Sequence, residues 1–131
     1  MIQIMIEGDP IPASRPRFNG RRCYQPKRNM EYRSLVQASA YAAMFGKQPM
    51  TGELSAVVKI YRRFKPTARN FGDVDNHLKA IFDALNKIAY LDDSQICRCL
   101  VEKFKDAKRP RVEIEIRSDD NVKTTARGIL P

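Results

Sequence analysis

Apolar and polar residues alternate at the start of the chain, with Ile2, Ile4 and Ile6 set between Gln3, Met5 and Glu7. A period of two places one set of side chains on each face of an extended segment, so this predicts a first strand. The alternation returns at Leu54, Ala56, Val58 and Ile60, against Ser55, Val57, Lys59 and Tyr61. That second strand runs toward Phe64 and is limited by Pro66, because proline has no N–H to give a sheet. Residues 96–104 and 111–117 predict the last two strands, joined by the turn-prone Asp106-Ala107-Lys108-Arg109-Pro110. In the final one Val112, Ile114 and Ile116 alternate with Arg111, Glu113, Glu115 and Arg117.

Two stretches carry the helical period instead. Residues 29–45 lack Pro and Gly and place Tyr32, Leu35, Val36, Ser39, Ala40, Ala43 and Met44 at helical spacing, before Gly46 stops the run. A second helix begins near Asp73 to Asp75, with Val74, Leu78, Ile81, Phe82, Leu85 and Ile88 as its apolar stripe. Its other face carries Asp75, Lys79 and Asp83, four apart and therefore in one row. No repeat or linker divides the chain. The expectation is one α+β domain over residues 1–117, with two main helices on a mixed or antiparallel sheet, followed by a polar, patternless tail over 118–131.

Composition narrows the class. In 131 residues, 43% hydrophobic content suffices for one core without disulfides or metal as scaffolding. The longest apolar runs are a few residues, far short of a bilayer span, and the start Met-Ile-Gln-Ile-Met-Ile-Glu has no secretory pattern. Three cysteines, an odd number, read as reduced thiols in a cytoplasmic protein. Cys97-x-Cys99 would need Cys23 and His77 to build a zinc site; the plainer reading is two thiols on one face of a strand.

Charge changes the picture more. Lys plus Arg is 24 against 15 acids, a formal +9, which draws polyanions. Between Pro10 and Met30 no acid occurs, while Arg15, Arg17, Arg21, Arg22, Lys27 and Arg28 add six positive charges. Pro12, Pro16, Gly20 and Pro26 make this stretch a loop or short hairpin, from which arginines reach phosphates. A second basic cluster is Arg62, Arg63, Lys65 and Arg69. From Asp73 to Asp93 the sign reverses: Asp73, Asp75, Asp83, Asp92 and Asp93 oppose Lys79 and Lys87, five acids less two lysines, a balance of −3.

An acidic island in a basic field suits a metal-dependent nuclease, in which acids hold a cation and the basic surface holds the backbone. Aspartates also favour helix starts for capping and dipole reasons, which accounts for Asp73 and Asp75 but not for Asp92-Asp93 on the returning connection. Asp73 and Asp75 with Asp92 or Asp93 would give a hard divalent ion the oxygens it wants. Lys79 is open to two readings: a surface salt bridge with Asp75 or Asp83, or a cation that stabilises charge developing on a phosphate.

The run Asp73-Val-Asp75-Asn76-His77-Leu78-Lys79, continuing through Asp83-Ala84-Leu85 to Tyr90-Leu91-Asp92-Asp93-Ser94-Gln95-Ile96, resembles the core motif of the RusA family of Holliday-junction resolvases. Its form is D-x-D-N-x-x-K-x-x-x-D-x-L followed by L-D-D-x-Q-[IV]. Pro12-Ala13-Ser14-Arg15-Pro16-Arg17 resembles a basic segment frequent in phage and prophage members. The resemblance implies a homodimeric endodeoxyribonuclease that resolves four-way junctions with Mg²⁺, or Mn²⁺ in its place. It puts Asp73, Asp75 and Asp93 on the metal-binding acids, with Asp92 a possible sharer, and Lys79 on the catalytic lysine. His77 falls on a variable position, where it could serve as general base; Asp83 reads as a helix-face partner of Lys79 or Lys87. The rivals are a non-catalytic nucleic-acid-binding module and a Mg²⁺ nuclease for other branched DNA.

Overall fold

The computed structural model describes residues 1–119. Strand β1 (Ile2–Glu7) leads into a hairpin of two short strands, β2 (Arg17–Phe18) and β3 (Cys23–Tyr24), then helix α1 (Lys27–Ala43). Strand β4 (Leu54–Arg62), helix α2 (Val74–Leu85), β5 (Ile96–Lys105) and β6 (Arg111–Ser118) follow. Single 3-10 turns at Arg69–Phe71 and Asp93–Gln95 precede α2 and β5.

The main sheet has the order β1-β6-β4-β5. β6 is antiparallel to both β1 and β4, whereas β4 and β5 are parallel, so α2 is their crossover connection. Alternation along the strands becomes burial: Ile2, Ile4 and Ile6, Leu54, Ala56, Val58 and Ile60, and Val112, Ile114 and Ile116 all face one core. Ile4 and Val58 pair with Ile114 from opposite sides, which makes a continuous row across the sheet. Each such side chain fully buried contributes roughly 1.5–3 kcal/mol. α1 and α2 pack against one another over that face, α1 toward β1 and α2 toward β5. The result is a mixed sheet with two helices in an α+β domain.

The helices differ in detail from the sequence expectation. α1 starts two residues earlier than 29, and its buried side is the strict four-residue row Tyr32, Val36, Ala40 and Met44; Leu35 is exposed. α2 buries His77, Ile81, Ala84 and Leu85, while Val74 is exposed. The stripe is thus rotated toward His77, because that imidazole finds a buried backbone acceptor in the Phe71 carbonyl. β5 is an edge strand, and both Cys97 and Cys99 lie exposed on it. Cys23 is exposed in the separate hairpin, and among the described residues no zinc-type cluster forms. From residue 120 the expected tail lies outside the described residues.

Candidate active site

Three basic side chains fix the chain where it enters α2. Arg62 is only 6% exposed; its Nε and Nη2 donate to the Asp9 carboxylate at 3.1 and 2.9 Å. Its Nη1 donates to the carbonyls of Asn70 and Phe71 at 3.1 and 2.7 Å. His77 is buried with Nε2 at 2.6 Å from the same Phe71 oxygen, so Nε2 carries the proton. Lys103 of β5 donates to the Gly72 carbonyl at 3.1 Å and sits over the Phe71 ring. Gly72 itself has φ +91°, and a Cβ there would come within 2.9 Å of His77 Nε2 and 3.0 Å of Pro12 Cγ. The three carbonyls immediately before Asp73 are therefore held from three elements, and glycine is the residue that this approach admits.

These contacts assign three residues that the sequence left open. Arg62, one of the second basic cluster, spends its charge inside the fold. His77 is a buried backbone donor, not a base at the surface; burial holds its pKa below the ordinary histidine value, which keeps it neutral. Asp73 occupies the N-cap position of α2, yet its side chain makes no capping hydrogen bond. The helix-start preference accounts for its place in the chain but not for its oxygens.

Asp73 and Asp75 are exposed at the start of α2, and Lys79 is exposed one turn on. Asp83, a further turn along the row, does not enter an ion pair with Lys79 or Lys87 among the described residues. Its carboxyl instead lies near that of Asp93, as does the Asn86 amide. Burial first, then the carboxylates of Asp92 and Asp83, push Asp93 above the ordinary aspartate range. Asp92 is engaged locally. It accepts the Ser94 N–H at 2.9 Å, and Gln95 returns the bond to the Leu91 and Asp92 N–H groups. The Ser94 bond holds Asp92 below the usual carboxylate range.

The row has a length. Eight residues separate Asp75 from Asp83, about 12 Å at a rise of 1.5 Å per residue. Asp73 and Asp75 stand at one end, Asp83 and Asp93 at the other, with Lys79 between. Accordingly, among the described residues no three His, Cys, Asp or Glu side chains converge as a metal-holding group. The nearness of Asp83 to Asp93 had no signal in the sequence, where the helical row matched Asp83 with Lys79 or Lys87 instead. Lys103 and the Arg62 clamp had no sequence signal.

The basic segment docks on the same end. The Ala13 N–H donates to the Asn76 carbonyl at 2.9 Å, and the Asn29 amide donates to the Pro12 carbonyl at 3.1 Å. Beyond that anchor Arg15, Arg17, Arg21, Arg22, Lys27 and Arg28 are all exposed. Among the described residues their ion pairs are limited to Lys27 with Glu31, at 3.8 Å and open to solvent. Such a pair contributes little. The segment's charge is thus largely uncompensated among the described residues.

No described helix is long and apolar enough to cross a membrane. The chain is 30% identical to the uncharacterized protein YqaN of Bacillus subtilis (strain 168), a match that covers 88% of this chain and 95% of that one. The family model for endodeoxyribonuclease RusA matches residues 7–117, from the end of β1 through nearly all of β6. That span holds the acids, Lys79, the clamp and the basic segment together. The chain belongs to the RusA family of endodeoxyribonucleases.

Proposed function

We propose that this endodeoxyribonuclease resolves four-way DNA junctions in a divalent-metal-dependent reaction, as a homodimer that nicks two symmetry-related strands. The observation that carries the reading is the exposed, uncapped pair Asp73 and Asp75, set on a backbone clamped by Arg62, His77 and Lys103. Carboxylates that serve no helix cap are suited to a hard cation. Mg²⁺ takes one or two of them, with waters and substrate phosphates completing the shell, so a closed cage is not required. When bound, Mg²⁺ or Mn²⁺ supplies charge neutralisation at the phosphate and a more acidic water.

Asp73 and Asp75 present their oxygens at the helix start. Lys79 sets its ammonium one turn away, where it steadies charge on the scissile phosphate or the leaving oxygen. Asp93, with Asp83 beside it, gives a second acidic position at the far end of the row. Asp93 takes this role over Asp92, whose carboxylate is engaged with Ser94. Arg15, Arg17, Arg21, Arg22, Lys27 and Arg28 hold the backbone through phosphates. A twofold dimer presents two such sites to one junction.

The test is a titration of Mg²⁺ with labelled junction, fork and linear duplex, run on the wild type and Asp75→Asn. Paired nicks in the junction, with cleavage lost in Asp75→Asn and binding retained, are expected. Equal cutting of linear duplex would replace junction resolution with a broader nuclease activity. Wild-type rates in Asp75→Asn would dispose of the metal site.

A further inference from the structure

A cleft of about 340 Å³ opens where the basic segment, α1 and α2 meet, with Lys79 and Asp83 on its lining. This is at the small end of the roughly 300–1,000 Å³ that small-molecule sites occupy. Its lining divides by chemistry: Pro16, Met30 and Ala80 are apolar, while Gln25 and Arg33 bring an amide and a guanidinium. Met30 is 58% exposed although it stands at the end of the most basic stretch of the chain, where an apolar side chain gains nothing from solvent. Arg33 is braced by donation from Nη2 to the Asp83 carbonyl at 3.4 Å. Tyr32, 6% exposed, also lines the cleft and has a buried hydroxyl without a hydrogen-bond partner.

We propose that this cleft is a subsite for one nucleotide, unstacked at the branch point next to the scissile phosphate. The inference rests on the reading of the chain as a junction nuclease and names what that site selects. Lys79 joins the two places: it belongs to the acid row and also to the cleft lining. A phosphate held at Lys79 leaves the adjoining base and sugar within reach of the cleft. The apolar side chains offer a surface to the base face, and the Arg33 guanidinium stacks or bonds to its edge. A base inside a continuous duplex cannot enter without the cost of unstacking and unpairing. At a branch that cost is smaller, so the cleft favours branched over linear DNA before any chemistry occurs.

The experiment uses four-way junctions with 2-aminopurine placed in turn at the nucleotides flanking the branch point and at control positions in the arms. Binding is followed without divalent cation, so that no cleavage intervenes. A severalfold fluorescence rise at one or two branch positions is expected, with none in the arms. Met30→Ser and Arg33→Ala should each cut the rise at least twofold. An abasic residue at the responsive position should weaken wild-type binding severalfold, which keeps the test informative if a variant fails to fold. Tight binding with flat fluorescence at every branch position, or a rise that both variants leave intact, overturns the subsite. Cleavage of unlabelled junction in Mg²⁺ is scored separately. Cleavage with flat fluorescence removes the subsite alone, and a site-specific rise without cleavage removes the nuclease reading while the subsite stands.

Discussion

The entry to α2 and the segment from Pro10 to Met30 are both rich in basic side chains, and they use them in opposite ways. At the entry, Arg62, His77 and Lys103 turn inward to the carbonyls of Asn70, Phe71 and Gly72. In the basic segment, Arg15, Arg17, Arg21, Arg22 and Arg28 remain exposed and enter no ion pair among the described residues. The first group fixes geometry at the acids; the second is available to a polyanion. A charge count treats the two groups alike, whereas burial and partners separate them.

Lys79 belongs to neither group, being exposed yet placed in the acid row, and its removal should have the largest effect. Lys79→Ala should fold normally and lose no more DNA affinity than one phosphate contact supplies, yet slow single-turnover cleavage about a hundredfold or more under saturating enzyme. Lys79 enters no ion pair among the described residues, so if it were only a solvated helix-face cation the change would leave both stability and rate nearly intact. Lys79→Arg keeps the charge but changes the donor geometry, so rescue by Arg would point to electrostatics over positioning or proton donation.

Arg62→Met breaks the comparison from the inward side. It leaves the Asn70 carbonyl without this donor and frees Asp9, which should cost about 1–3 kcal/mol in denaturant unfolding. The loss of cleavage should exceed any loss of DNA affinity. A stable protein with normal activity would show that the clamp does not position the acids.

Neutralising Arg17 and Arg22 together tests the outward side. Stability should hold, while binding to all DNA shapes weakens. If both contact phosphates, the salt dependence of log K should become shallower by about 1.8, at roughly 0.9 per contact. An unchanged slope would mean that this face points away from DNA.

The smallest expected effect concerns Asp93, the anion under the most crowding. Its pKa is raised in the fold by burial and by Asp92 and Asp83, so its ionised form is disfavoured there. The sign follows: stability tied to the protonated form is present at low pH and is lost as pH rises through the raised value. Asp93→Asn should therefore stabilise the apo protein at neutral pH by under about 1 kcal/mol, a surface-pair magnitude. The gain should fade in acid, where wild-type Asp93 is protonated too. A thermal melt that shows equal gain at both pH values would place its cause elsewhere.

Much of the fold was legible because alternation at Ile2–Ile6, Leu54–Ile60 and Val112–Ile116 reports burial on a one-sided sheet directly. The helices were legible in position but less so in rotation. Four-residue spacing picks out Tyr32, Val36 and Ala40, whereas Leu35 looks equally apolar and is left outside. Polar residues buried through backbone acceptors were not legible, because nothing local marks Arg62 or His77 as inward. The acids were legible as a group, but their distribution along α2 was not. Sequence proximity suggested one cluster, and the helical rise spreads it over two turns, with Asp93 beside Asp83.

The strand order also bears on how the enzyme matures. β1 has β6 as its partner, and β5 lies parallel to β4 across the α2 crossover. Both pairings join distant parts of the chain, and such closures are slow relative to local hairpins. During synthesis β1 and α1 emerge first, but the sheet beneath α2 cannot close until residues 111–118 are available. Lys103, which ties down Gly72, arrives only with β5. A nascent or truncated chain thus exposes its basic segment before Lys103 can tie down the backbone that leads into Asp73.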